Sequence, residues 1–172
     1  MATDTHTFQI TLKTDVPLDQ TDTKILEAVV RNGRITWAEL GQQASLSAPA
    51  AAERVHRLVA RGVIRGFAAI VDAQSIGYRL TAFIAVTLAS PDARAGFLSV
   101  VDRVQEVLEC HHVTGDYDYM LKVRCRDTAD LERLITAELK GAGGVQQTRT
   151  TIAMSTVKET GWLAADQPPI TK

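Results

Sequence analysis

No stretch of this chain approaches the roughly 18 consecutive apolar residues that a membrane-crossing helix needs, so no membrane partner is expected. Met1 to Lys13 has no basic segment leading into an apolar one, so no secretory signal is expected and the cytoplasm is the expected location. Cysteine is scarce. Cys110 and Cys125 lie fifteen residues apart with no Cys-x-x-Cys pairing, which favours two buried thiols over a disulfide or a metal site. A glycine-rich phosphate loop, a nucleophile elbow and a His-Glu-x-x-His motif are all missing. No catalytic constellation assembles, so neither an enzyme nor a cofactor or metal is expected. The net charge of -1 lacks the basic excess of a protein that coats DNA along its length.

What is present is a soluble chain of 172 residues, 45% hydrophobic and 23% charged, long enough for one medium domain or two small ones. Residues 1–17 are polar, without period and closed by a proline, and read as an arm. Leu18-Asp19-Gln20-Thr21-Asp22 then opens a helix, with Asp19 as its cap and Asp22 at the positive end of its dipole. Ile25, Leu26, Val29 and Val30 give it one apolar face, and Asn32-Gly33 ends it.

The second helix has the clearest start in the chain. Thr36 and Glu39 are spaced as a capping box, with Ile35 and Leu40 placed as the flanking hydrophobic staple. It ends near Ala44-Ser45. Ser47 caps a third helix whose early Pro49 does no harm, because first-turn N–H groups have no helical partner. Two short helices joined by a few residues have helix-turn-helix geometry, the later one entering the major groove. Gly41 falls where the two would approach most closely. The segment Leu18–Asp72 sums to only +1, yet Glu53–Arg65 alone carries +3. Arg54, Arg57, Arg61 and Arg65 recur at three- and four-residue intervals, placing the helical arginines on one broad side. A solvated charge face explains such a stripe equally well when it stands alone; the capped three-helix pattern around it favours contact with double-stranded DNA. Phe67 to Val71 is read as a short additional strand.

From Tyr78 onward the period changes. Leu80, Ala82, Ile84, Val86 and Leu88 alternate as one face of a strand. A helix opened by Ser90-Pro91 follows, with Phe97, Val100, Val101 and Val104. Val107 to Thr114 is a second strand, and Gly115-Asp116 turns the chain into a third where Tyr117, Tyr119, Leu121, Val123 and Cys125 alternate with polar residues. Asp127 caps a helix with Leu131, Leu134, Ile135 and Leu139, stopped by Gly141-Ala142-Gly143-Gly144, and Val145 to Val157 is a fourth strand. The order β-α-β-β-α-β is ferredoxin-like. Its helices cover one sheet face, and a partly apolar second face predicts pairing with another copy. The fold class is therefore α+β: arm 1–17, three-helix helix-turn-helix domain 18–66, linker strand 67–77, ferredoxin-like domain 78–160 and tail 161–172.

His111 and His112 precede Asp116 and Asp118, but adjacent strand residues point to opposite faces and cannot easily share an ion. At the bend itself Asp116 and Asp118 offer carboxylates beside backbone N–H groups, a pair of chemistries suited to a zwitterion. An ordinary Asp-Gly turn is the plainer reading of the same residues.

Taken together, Leu18-Asp19…Asp22…Ile25-Leu26, Leu46-Ser47…Arg54-Val55…Arg57-Leu58, Gly62-Val63-Ile64, Val113-Thr114-Gly115-Asp116-Tyr117-Asp118-Tyr119 and Gly144-Val145…Thr148…Thr150…Val157-Lys158 resemble the Lrp/AsnC family of transcription regulators. The resemblance spans roughly Leu18 to Glu159. It implies a helix-turn-helix reader, a C-terminal domain that assembles dimers into octamers or other oligomers, and an effector, usually an amino acid, bound near the bend. By carry-over Ser47, Ala48, Pro49, Ala50, Arg54 and Arg57 would meet DNA. Gly115, Asp116, Tyr117 and Asp118 would line the effector site, with Thr148 and Thr150 beside them. The chain departs from the family pattern at three places. Ser45 stands where glycine is usual, which forfeits roughly 1 kcal/mol if φ is positive there. Ser47-Ala48-Pro49 replaces Ser-Pro-Ser, and Ala50-Ala51-Ala52 leaves few groups for base edges, shifting specificity toward Arg54, methyl contacts and DNA shape. Two rivals remain, an effector-independent architectural DNA binder and a tetrapyrrole enzyme similar to the sirohaem decarboxylases; the acidic bend would repel the polycarboxylate of the latter.

Overall fold

The computed structural model describes residues 17–141 and 144–160, so most of the expected arm, the tail and the Ala142-Gly143 stop lie outside the described residues. The chain divides between Ala69 and Ile70 into two compact units, the second running Ile70–Glu159.

In the first unit, helix α1 spans Gln20–Arg31, α2 Trp37–Ala44 and α3 Ala48–Ala60. Each begins at a side-chain cap, which satisfies N–H groups that have no partner inside the helix. Asp19 Oδ1 accepts from Asp22 N at 2.7 Å, and Ser47 Oγ from Ala50 N at 3.4 Å. At α2 the capping box closes in both directions, Thr36 N donating to Glu39 Oε2 at 2.9 Å and Glu39 N to Thr36 Oγ1 at 3.3 Å. The same bonds hold the Glu39 carboxyl below its usual range. The three apolar faces meet in one core in which Ile25, Leu40, Ala51 and Leu58 are fully buried. Ile35 packs against that core, which contains Leu40.

Two local details set the geometry between α2 and α3. Ser45 sits at φ 58, ψ 44, the left-handed region that costs a β-carbon roughly 1 kcal/mol. A β-carbon on Gly41 would lie 2.7 Å from the carbonyl oxygen of Leu46, so only glycine lets the α2–α3 turn fold back this closely. Phe67–Val71, expected as a strand, forms none, and residues 67–77 contain no strand. A strand requires a neighbour to pair with, and the strands of the sheet lie between Leu80 and Ile152.

The second unit places strands β1 (Leu80–Leu88), β2 (Val107–His112), β3 (Tyr119–Cys125) and β4 (Val145–Ile152) in the antiparallel order β2-β3-β1-β4. A 3₁₀ turn at Pro91–Ala93 leads into α4, Arg94–Arg103. Helix α5, Thr128–Arg133, continues as a π-helix through Leu134–Lys140. Register follows the period-2 pattern: Ala82, Ile84 and Val86 stand opposite Val123, Leu121 and Tyr119, and all six are buried with Phe97, Val100, Leu131 and Leu134. The π segment differs from the single α-helix expected there. In a π turn residues five apart share a face, which brings both Leu134 and Leu139 into the core. The face away from the helices is more charged than expected. Phe83 is exposed on it, but Lys122 Nζ lies 3.0 Å from Glu109 and 2.5 Å from Glu159, which also meets Arg124 at 2.5 Å.

Candidate DNA-reading and effector sites

On α3 the buried side is Ala51, Val55 and Leu58, and the opposite side exposes Pro49, Glu53, His56, Arg57 and Ala60. Of the expected DNA contacts, Ser47, Pro49 and Arg57 are exposed at or along this side, while Ala48 and Ala50 are half-buried. Arg54 is half-buried and paired within the helical unit. Its guanidinium turns toward the start of α1, where Nη1 lies 2.9 Å from Asp22 Oδ1 and also meets Asp19. Asp22 is only 5% exposed. Arg61, two turns further on, follows the same course: it donates to the carbonyl oxygen of Pro17 at 2.7 Å and lies 3.8 Å from Asp22. The arginine stripe is therefore split. Arg54 and Arg61 clamp α3 onto α1, and Arg57 points outward. The hydrogen bond from Arg54 holds the Asp19 carboxyl below its ordinary range and raises the guanidinium in return.

Sequence reasoning passed over His56 and Trp37. The rings meet edge to face with centroids 6.0 Å apart, joining the first residue of α2 to the outward side of α3. The signal was present: His56 lies seven residues after Pro49 and three after Glu53, opposite the buried stripe.

At the second site the bend between β2 and β3 places Gly115 at φ 115, with nothing within 4 Å of where a β-carbon would stand. Asp116 is exposed. One oxygen of the Asp118 carboxylate already has a partner within the fold: Oδ2 accepts from Leu88 N at 2.7 Å. Its backbone is held as well, Asp118 N donating to Val86 O at 2.9 Å and Asp118 O accepting from Val113 N at 3.0 Å. Asp118 anchors the base of the bend to β1. Thr148 and Thr150 stand opposite Val86 and Ile84 and share their side of the sheet, Thr148 half-buried and Thr150 exposed. Arg149 of β4 reaches the bend, its Nη1 donating to the Tyr117 hydroxyl at 3.4 Å. That contact raises the Arg149 guanidinium above its ordinary value.

His111 and His112 diverge as strand alternation requires. His111 lies 3.1 Å from Glu109, whereas the His112 ring stacks at 5.1 Å on Tyr119. No group of three or more potential ligands for a metal comes together among the described residues. Burial pushes both the Cys110 and Cys125 thiols up to about 11, and both are free.

Comparison with known proteins places both units. Residues 18–59 match the AsnC-type helix-turn-helix domain, and 81–163 match the Lrp/AsnC ligand binding domain. The leucine-responsive regulatory protein of Haemophilus influenzae is 37% identical over 153 residues, covering 88% of this chain and 92% of that protein. A transcriptional regulator of Neisseria meningitidis solved with L-methionine superposes with a TM-score of 0.80 at 33% identity, over 86% of this chain and 96% of the other. AsnC of Escherichia coli superposes at 0.78 with 28% identity, over 84% and 97%.

Proposed function

Because the chain belongs to the Lrp/AsnC family of transcription regulators, we propose that it binds selected DNA sites through α3 and that a bound amino acid alters its DNA affinity or its assembly. The observation that carries the DNA half is the α2–α3 unit. Its turn closes only because Gly41 lacks a β-carbon, and it presents the exposed side of α3 next to the Ser47 cap. Ser47 and Pro49 at the start of α3, with Ala48 and Ala50 giving methyl contacts, face bases, and Arg57 meets a phosphate or a guanine edge. Arg54 acts by holding α3 in place rather than by touching DNA.

The effector half rests on the bend. Gly115, Asp116 and Tyr117 line it, Asp118 fixes its base, and Thr148 and Thr150 belong to the strand beside it. The L-methionine complexes of the Neisseria meningitidis regulator and of a feast or famine regulatory protein from Mycobacterium tuberculosis support an amino-acid ligand of this class. The chain works as a dimer or a higher oligomer, an octamer in the fullest form, in the cytoplasm and without catalytic activity. A thermal-shift screen against the twenty amino acids tests the effector, because a ligand that binds the native state alone raises its apparent stability. Footprinting on genomic fragments with and without the hit then tests the coupling. Protection that never changes with any amino acid would reduce the protein to an architectural DNA binder.

A further inference from the structure

Helix α3 carries little chemistry for telling one base from another. Between Ala48 and Ala60 it is rich in alanine, and the side chains that can hydrogen-bond are Glu53, Arg54, His56 and Arg57. Arg54 is half-buried and committed to Asp22. Glu53 brings a carboxylate, which accepts but never donates and which DNA phosphates repel. Arg57 is exposed on a long flexible stem, well suited to a phosphate. His56 differs from all of these, because it is exposed and its ring is also held.

The holding group is Trp37. The two rings meet at a 73° angle with centroids 6.0 Å apart, the edge-to-face arrangement that aromatic pairs prefer. Trp37 is the first residue of α2, directly after Thr36, whose bonds with Glu39 fix the start of that helix. Its side chain lies outside the core of the helical unit and is 44% exposed. A large ring at this position does not serve the core. It serves His56, and an imidazole already held in one orientation loses less freedom when it meets a ligand.

We propose that His56 reads a base, donating an imidazole N–H to the N7 or O6 of a guanine in the major groove, and that Trp37 is the positioning residue that aims its ring. This rests on reading α3 as the helix that enters DNA. Guanine presents two acceptors side by side on that edge, whereas adenine sets a donor amino group beside its N7 and cytosine presents a donor. The single N–H of a neutral imidazole therefore favours guanine. Specificity in this chain lies at the α2–α3 junction, where a ring of one helix orients the reading group of the other.

The test is anisotropy on the full chain with a footprinted DNA fragment and every single-base-pair substitution of it, repeated over a range of salt concentrations. The wild type loses about five- to hundredfold in affinity when one particular G·C pair is replaced. His56→Ala accepts any base at that position, while its penalties at other positions and its salt slope match the wild type. His56→Gln moves the preference there toward A·T, because a carboxamide pairs with adenine N6 and N7. Trp37→Ala loses part of the same discrimination, and Trp37→Phe, which keeps a ring, retains it. A His56→Ala protein that loses affinity equally for every fragment, with a salt slope lower by about one, would place His56 on a phosphate and overturn the inference. Unchanged penalties at every position would overturn it too, and unchanged penalties in Trp37→Ala alone would remove the positioning role. A wild type that protects no fragment at all overturns the reading of α3 itself.

Discussion

Arg54 Nη1 lies 2.9 Å from the carboxylate of Asp22, tying the middle of α3 to the first turn of α1. The contact gives Arg54 a part in setting where α3 stands. Arg54→Ala leaves Asp22, 5% exposed, with one cation fewer in a site that water reaches poorly. We expect a lower melting temperature and a uniform loss of DNA affinity across sequences. Arg57→Ala should leave the melting temperature unchanged and reduce the slope of log affinity against log salt by about one. Circular-dichroism melts and anisotropy titrations on both variants check this; equal stability of the two would remove the clamp.

Ser45→Gly should stabilise the helical unit by about 1 kcal/mol, because glycine occupies φ 58 without the β-carbon penalty. Gly41→Ala should destabilise it by about 1–3 kcal/mol, since the new methyl meets the Leu46 carbonyl at 2.7 Å. Urea unfolding followed by helical signal reads both. A neutral Gly41→Ala would mean that the turn relaxes freely.

Asp118→Ala removes the acceptor of Leu88 N and should cost about 1.5–3 kcal/mol, with the bend loosened. Its effector affinity falls through disorder of the bend rather than loss of a ligand contact, so Asp118→Asn, which keeps an acceptor oxygen, should retain most of it. Calorimetry with the hit from the amino-acid screen separates the two; equal losses would return Asp118 to direct contact.

Acid should weaken the helical unit in a defined direction. The Arg54 hydrogen bond depresses the Asp19 carboxyl below its ordinary 3.8. Its contribution to stability is therefore present above that value and disappears as the pH falls through the lower, folded one. Melting temperatures from about pH 5 down to about pH 2 should fall less steeply for Asp19→Asn than for the wild type. Parallel curves would show that the bond forms no net link in solution.

The caps, the capping box and the succession of elements were legible because each depends on residues close in sequence: Asp19 with Asp22, Thr36 with Glu39, alternating apolar residues in β1 and β3. What was not legible depends on partners brought together by folding. Arg54 and Arg57 look alike at three-residue spacing, and only the approach of α1, thirty-two residues away at Asp22, separates them. Asp118 and Leu88 meet across two strands, thirty residues apart. Arg149 was passed over between two threonines because alternation along β4 assigns no face until the register with β1 is known. The π turn at Leu134–Lys140 escaped because its leucines also fit an ordinary amphipathic helix.

The central claim is that DNA affinity residing in α3 is coupled to an amino acid held at the bend. Anisotropy of a footprinted DNA fragment, titrated with wild-type protein and with Asp116→Asn in the presence and absence of the amino acid that raises the melting temperature, tests it in one experiment. The account predicts that the amino acid shifts the wild-type binding curve, that Asp116→Asn binds DNA equally well without effector, and that its curve stays where it is at the same effector concentration. An effector-induced shift of equal size in both proteins, or no shift in the wild type, would contradict it.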